Sequence, residues 1–356
     1  ALGKFFRAGG GLAAARLLPA AGILEVFGQT PSHEQLNREP PPFPEFKSPD
    51  LEQKVLVIPL REDGEPQLAV KLEDALDEVT SSVESDSYGK LKFKFTLLPE
   101  QITNLPNDRD QQDVVAHIGD ALATNLGQDL SEYQTRLYVL RSDSNPKYGG
   151  IAFSPIEGNR YKRATVYVDD KASDFESVAK HELGHTLGMP HANSINASGK
   201  KTEYGGLDDP MGATREVAIG YNAPQRVSMG WIGREQVQSV AQSGIYFLDS
   251  LDYANPDKTD LTRVLRIQKP DTNERYYISF RPQGSILGGV NIHTWNEKLK
   301  TSPDEVLVPE AMRKGWKDGD EYYDKKNGIR IRQISIAGPV SYNPPEEVQL
   351  QITFDK

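Results

Sequence analysis

The spacing of apolar residues divides this chain into three stretches. Residues 1–50 show no sustained period, and Pro40, Pro41, Pro42, Pro44 and Pro49 give them the composition of an extended linker. This stretch is expected to be a flexible N-terminal segment. Lys4 and Arg7 precede GGGLAAARLLPAAGILEVFG, which matches a signal-peptide or pro-segment remnant interrupted by Arg16.

From residue 51 to 240 the pattern alternates between strand and helix. KVLVIPL (54–60) is a continuous apolar run suited to a sheet centre. Leu72, Leu76, Val79 and Val83 recur at helical spacing. In GKLKFKFTL, Leu91, Phe93 and Phe95 alternate with Lys90, Lys92 and Lys94, the period of a half-buried strand. A helix is predicted over 110–125 with Val114, Ile118, Ala121 and Leu122 on its buried face. RLYVL (136–140), GGIAFSP (149–155) and ATVYV (164–168) read as three further strands, so the stretch implies an α/β sheet with short crossovers. Ser173 and Glu176 form an S-x-x-E capping box that starts a helix eight residues before His181.

Beyond residue 240 only the strand period remains. IYFL, TRVLRI, RYYISF, VNIH, IRIRQISI and VQLQITF are short runs separated by turn residues, which predicts an all-β, sandwich-like domain over 241–356.

Composition narrows the chemistry. The net charge of −10 over 356 residues argues against nucleic-acid binding, because an acidic surface repels phosphates. The absence of cysteine excludes disulfides, thiol nucleophiles and thiolate zinc sites. No stretch is long and apolar enough to predict a transmembrane segment.

Three of the six histidines fall in HELGHTLGMPH, residues 181–191. His181 and His185 are four apart, so a helix places them on one face, where two imidazoles can share one zinc ion. Glu182 stands about a third of a turn away, within reach of a water on the metal, as a general base requires. Gly188 can end the helix so that His191 returns as a third ligand. Three imidazoles leave one position open, which is the design of a catalytic site and not of a structural one. His33, His117 and His293 stand alone and read as surface or packing residues.

HELGHTLGMPH is the zinc signature of the metzincin clan of metallopeptidases, and within it the chain resembles the gametolysin-type peptidases. The resemblance is carried by SYGKLKF (87–93), HELGHTLGMPHA (181–192), YGGLDDPMGA (204–213) and YNAPQRVSMGWI (221–232). It covers residues 54–232 and continues more weakly through RYYISFRP and GVNIHTWN. It implies an α+β metzincin-type catalytic domain over 51–240, a mixed twisted sheet with an active-site helix, followed by the β domain. It also implies a zinc-dependent endopeptidase acting on proteins, usually outside the cell, sometimes on matrix or wall glycoproteins. By this match His181, His185 and His191 are ligands, Glu182 is the base, and Met211 forms the methionine turn beneath the metal.

Three departures stand out. Ala213 occupies the place where some metzincins carry a tyrosine that assists the metal or the oxyanion; Tyr204 and Tyr221 are the candidates for that help. No propeptide cysteine can confer latency. One helix more than the minimal fold is predicted between the second and third strands. In this clan the strand beside the cleft pairs with an extended substrate by β-addition. GGIAFSP, with Gly149, Gly150, Ile151 and Ala152, is the candidate, and the loop from Ala213 to Asn222 would set side-chain preference. DSLDYANPDKTD (249–260) holds four aspartates able to bind calcium, but it matches no EF-hand spacing and reads as a solvated loop. Two other functions fit the motif less fully. One is an adhesion or binding protein whose zinc domain only recognises its target. The other is a zinc hydrolase acting on small peptides or non-peptide amides.

Overall fold

The continuous apolar run at 54–60 forms the centre of strand β1, Glu52–Arg61, which is buried on both faces. The computed structural model describes residues 51–68, 70–105, 112–141, 149–153, 162–168, 175–212, 219–252, 261–281, 288–308, 316–337 and 347–355. The segment 1–50, and with it the predicted linker and signal or pro-segment, lies outside the described residues, as does Ser173 of the capping box.

β1 belongs to a mixed sheet with β2 (Lys92–Leu97), β3 (Gln101–Ile102), β4 (Thr135–Arg141), β5 (Gly150–Phe153) and β6 (Lys162–Val168). The order is β2-β1-β4-β6-β5, with β3 also pairing β1. All pairs are parallel except β5 with β6, so an antiparallel strand forms one edge. Helix α1 (Leu72–Asp86) and helix α3 (Phe175–Thr186) cover one face, where Val55, Val57, Leu137 and Val139 meet Leu76, Val79, Val83, Ala179 and Leu183. Helix α2 (Gln112–Asn125) covers the other face through Val115, Ala116 and Ala123 against Leu56, Ile58, Tyr138 and Leu140. Two covered faces explain why residues 55–60 of β1 are continuously apolar and do not alternate.

The predicted helix over 110–125 is therefore present, between the second and third long strands, but its buried face is turned by about one residue. Val114 is 40% exposed and Val115 is wholly buried. A Cβ at Gly119 would stand 2.8 Å from the Tyr138 ring, so this glycine lets the 115–119–123 ridge settle on the sheet. Periodicity alone could not choose between two adjacent apolar stripes.

Among the described residues the rest of the chain is β structure with one short α-helix, α4 (Ala223–Ser228), and a single 3-10 turn at Arg234–Gln236. The strands are β7 (Asn193–Ile195), β8 (Lys201–Thr202), β9 (Val237–Val240), β10 (Gly244–Asp249), β11 (Val264–Gln268), β12 (Arg275–Arg281), β13 (Gly289–Trp295), β14 (Asp304–Val306), β15 (Glu321–Asp324), β16 (Ile329–Ala337) and β17 (Glu347–Phe354). They make a seven-stranded sheet, β8-β7-β14-β13-β12-β11-β9, and a four-stranded sheet, β10-β17-β16-β15. Leu265, Ile267, Ile278, Phe280 and Ile292 of the first pack on Ile329, Ile331, Val348, Leu350 and Ile352 of the second, which is a sandwich. Strands β7, β8 and β9 come from before residue 240, so the larger sheet reaches back across the boundary expected there. No helix among the described residues is long and apolar enough to cross a membrane.

A buried ionic chain ties the two parts together. Lys180, fully buried in α3, pairs with Asp86 at the end of α1 at 2.8 Å and donates to the Ile219 carbonyl at 2.9 Å. Asp86 also meets Arg226 of α4 at 3.2 Å, Arg226 meets Asp252 at 2.7 Å, and Asp252 meets Arg281 of β12 at 3.1 Å. Removing one partner from such a chain leaves a buried charge without compensation. Lys180→Met is expected to lower unfolding free energy by about 3 kcal/mol in urea titrations.

A second buried pair, Asp208 with His293 of β13 at 3.0 Å, joins the 204–213 motif to the sandwich. Burial opposes both charges, but each outweighs it for the other: Asp208 is lowered from 3.8 and His293 raised from 6.5. The depressed carboxylate contributes stability above 3.8 that is lost as pH falls through its folded value. The raised imidazole contributes stability below 6.5 that is lost as pH rises through its folded value. His293→Gln is therefore expected to lose more stability relative to the unaltered chain at about pH 6 than at about pH 9, measured by urea unfolding.

Candidate metal centre

Helix α3 buries Phe175, Ala179 and Leu183 at intervals of four, so this stripe faces the sheet. His181 lies two residues beyond Ala179, about 200° around the helix, and His185 is one turn further. Both are only half-buried. The helix ends as the sequence predicts: Gly188 takes φ +94°, and Met189 N–H turns back to the Gly184 carbonyl at 3.1 Å. The chain then bends through Pro190 and brings His191 back beside the other two.

The hydrogen bonds settle which nitrogen of each ring is bare. His181 Nδ1 lies 2.8 Å from the Pro210 carbonyl and His185 Nδ1 lies 2.9 Å from the Met189 carbonyl. A carbonyl only accepts, so both Nδ1 atoms carry the proton. His191 Nδ1 lies 3.1 Å from Glu203 Oε1 and donates to it in the same way. The Nε2 atoms of His181 and His185 then face each other with lone pairs at 3.1 Å. Burial keeps both rings neutral, lowering His181 to about 4 and His185 to about 3, and it lowers His191 as well. Two facing lone pairs repel unless a cation lies between them. The separation is close to the ~3.3 Å expected of nitrogens about 2.05 Å from one tetrahedral ion. Ligand atoms of all three histidines lie within 4.8 Å of one another. No fourth side chain among the described residues joins the set, so these residues fit a metal with an open position.

Glu182 stands beside this set and outside it. Its side chain is 5% exposed, its Oε2 is buried with no hydrogen-bond partner, and burial pushes its carboxyl up to about 8. A buried carboxyl oxygen without a partner calls for a ligand, since burying it unpaired is costly. Gly150 of β5 lies directly against it: a Cβ there would stand 2.6 Å from Glu182 Cγ. The predicted substrate strand is thus the sheet edge beside α3, with Gly150 touching Glu182, Gly149 adjoining Val178, and Ile151 and Ala152 half-buried.

Met211 lies beneath the helix, wholly buried. A Cβ at Gly184 would stand 2.5 Å from its Sδ, so the glycine between the first two histidines makes room for it. Asp209 holds this turn, accepting from Met211 N–H and from Asn222 N–H at 2.6 Å each. Burial raises its carboxyl to about 7 against these two donors. Asn222 caps α4 by accepting from Gln225 N–H at 3.0 Å, and Gln225 Nε2 donates to the Pro190 carbonyl at 2.7 Å, just before His191. The YNAPQRVSMGWI stretch therefore supports the loop that carries His191. Lys180, Glu203, Asp209, Gln225 and Arg226 are not among the predicted site residues; all lie inside or beside the quoted motifs, which mark places and not roles.

The two tyrosines separate. Tyr204 sits over the histidines, its ring 4.0 Å from that of His191 and 6.0 Å from that of His181. Tyr221 does not face the cleft: it is wholly buried, and its hydroxyl donates to the Lys180 carbonyl at 2.9 Å. That bond and the surrounding core correct the expectation of oxyanion help from Tyr221. Ala213 and most of the loop to Asn222 lie outside the described residues, as do His33 and residues 253–260 of the aspartate-rich stretch. Asp252 of that stretch is engaged by Arg226 and Arg281, so it is not available to calcium. His117 is exposed on α2, and His293 is the packing residue paired with Asp208.

No family model matches the chain, and no curated protein does. Solved structures show distant likenesses. One is a chaperone–substrate complex, 13% identical at a TM-score of 0.33, covering 49% of this chain and 29% of that one. Another is metalloproteinase-II from Bacteroides fragilis, 17% identical at a TM-score of 0.36, covering 52% and 54%. A third is OgpA from Akkermansia muciniphila, 12% identical at a TM-score of 0.32, covering 81% and 89%. The chain thus spans less than two thirds of the length of the first two. At these values the likenesses establish neither a shared fold nor a shared activity.

Proposed function

We propose that this protein is a zinc-dependent endopeptidase of metzincin type that acts outside the cell. One observation carries the reading: three neutral imidazoles converge with bare nitrogens, and Glu182, next to His181 on α3, has a buried carboxyl oxygen without a partner. Neutral nitrogen donors without thiolates suit zinc, and His181, His185 and His191 would hold it. Bound zinc would lower the pKa of a water and polarise the scissile carbonyl.

The chain's own groups supply the rest. An extended peptide adds to the free edge of β5 and pairs backbone to backbone. Glu182 takes a proton from the attacking water, whose oxygen bonds to the carbonyl carbon. The same carboxyl then gives that proton to the amide nitrogen as the C–N bond breaks, leaving a carboxylic acid and an amine, between which the second proton of the water is then shared out. Gly150 keeps the strand close without displacing Glu182. Tyr204, beside the histidines, is the remaining candidate for oxyanion help.

Casein digestion followed on gels tests the reading. The unaltered chain is expected to cleave casein, to lose activity to a chelator and to regain it with zinc. Glu182→Gln is expected to lower kcat by about 10²–10⁴-fold while still binding one zinc. Gly150→Ala, whose new methyl displaces Glu182, is expected to lose on the order of 10²-fold. Stoichiometric zinc with no cleavage of proteins or peptides would overturn the proposal in favour of a binding protein. Cleavage confined to short peptides would favour the small-substrate hydrolase.

A further inference from the structure

The three histidines are not held alike. His181 and His185 stand on a helix and donate to buried main-chain carbonyls. His191 stands on irregular chain beyond the helix and donates to a side chain, the Glu203 carboxylate, which is itself 70% exposed. We infer that Glu203 is a positioning residue for the metal, clamping His191 from outside the ligand set; this rests on the metal reading above.

The turn that carries Glu203 is built against His191. After His191 the chain runs through Ala192 into β7, turns into β8, and returns through residues 203–206. Gly206 N–H donates to the Ala192 carbonyl at 3.2 Å. Gly205 abuts Ser194 too closely for any Cβ, and Gly212, next to Met211, is equally tight against the Gly206 carbonyl. Between these contacts Tyr204 is held at φ 56°, a conformation that a side chain of its size rarely adopts. Its N–H donates to Asn193 Oδ1 at 3.3 Å, and its ring lies on His191. The close packing thus maintains an unfavourable backbone in order to set Tyr204 on the face of the imidazole and Glu203 at its Nδ1. Glu203 is not among the converging ligand groups, so its part is to select the tautomer and orientation of His191 and to raise its basicity.

The experiment measures zinc affinity of the full-length protein by competition with a zinc-binding dye. Glu203→Ala is expected to weaken zinc binding about 10–100-fold, and Glu203→Gln, which can still accept from Nδ1–H, less than that. The second arm repeats Glu203→Ala in a His191→Ala background, where a clamp on His191 has nothing left to hold and no further weakening is expected. A general attraction of the carboxylate for the ion would persist in that background. Unchanged affinity in Glu203→Ala, or equal weakening with and without His191, overturns the inference alone. Failure of the unaltered chain to bind zinc overturns the metal reading and the clamp with it.

Discussion

A fully buried ammonium, that of Lys180, immediately precedes the first histidine, and its pairing with Asp86 is the constraint on which the arrangement depends. A buried charge is costly unless its partners are held in place. Here α1 supplies Asp86, the chain before α4 supplies the Ile219 carbonyl, and Arg226 shares the carboxylate. Holding Lys180 therefore fixes the rotation and the depth of α3 against its neighbours. The same rotation turns His181 and His185 toward the cleft.

The site is a joint product of the two parts of the molecule. The helix with the first two histidines belongs to the α/β sheet. The third histidine leads into β7, a strand of the sandwich, which pairs in parallel with β14. Asp208 and His293 tie the turn that carries Met211 to the same sheet, and Asp252 with Arg281 ties α4 to it. The C-terminal sheet thus frames the loop that carries His191 as well as extending the chain beyond it.

Much of this was legible beforehand. Strong periodicities located α1 and the alternating strand β2, and a continuous apolar run marked a strand covered on both faces. The four-residue spacing of His181 and His185 put both on one helix face, and Gly188 marked the bend that returns His191 to them. Less legible were features that depend on distant contacts. The buried face of α2 was misjudged by a residue, since its choice rests on Gly119 fitting the Tyr138 ring. Tyr221 resembled a cleft residue by its place in the chain, yet its hydroxyl is spent on a carbonyl beneath the helix.

By itself the sequence determined the local matters: where the long helices and strands run, where α3 ends at Gly188, and which side chains are candidates for the chemistry. These follow from short-range sterics and from the 3.6- and 2-residue repeats. Only the tertiary structure decided how those side chains are used. It set the tautomer of His181 through the Pro210 carbonyl from another loop, set Met211 beneath Gly184, and brought the Glu203 carboxylate back to His191 across a hairpin. Such assignments rest on hydrogen bonds and close contacts between segments separated along the chain, which no local pattern encodes.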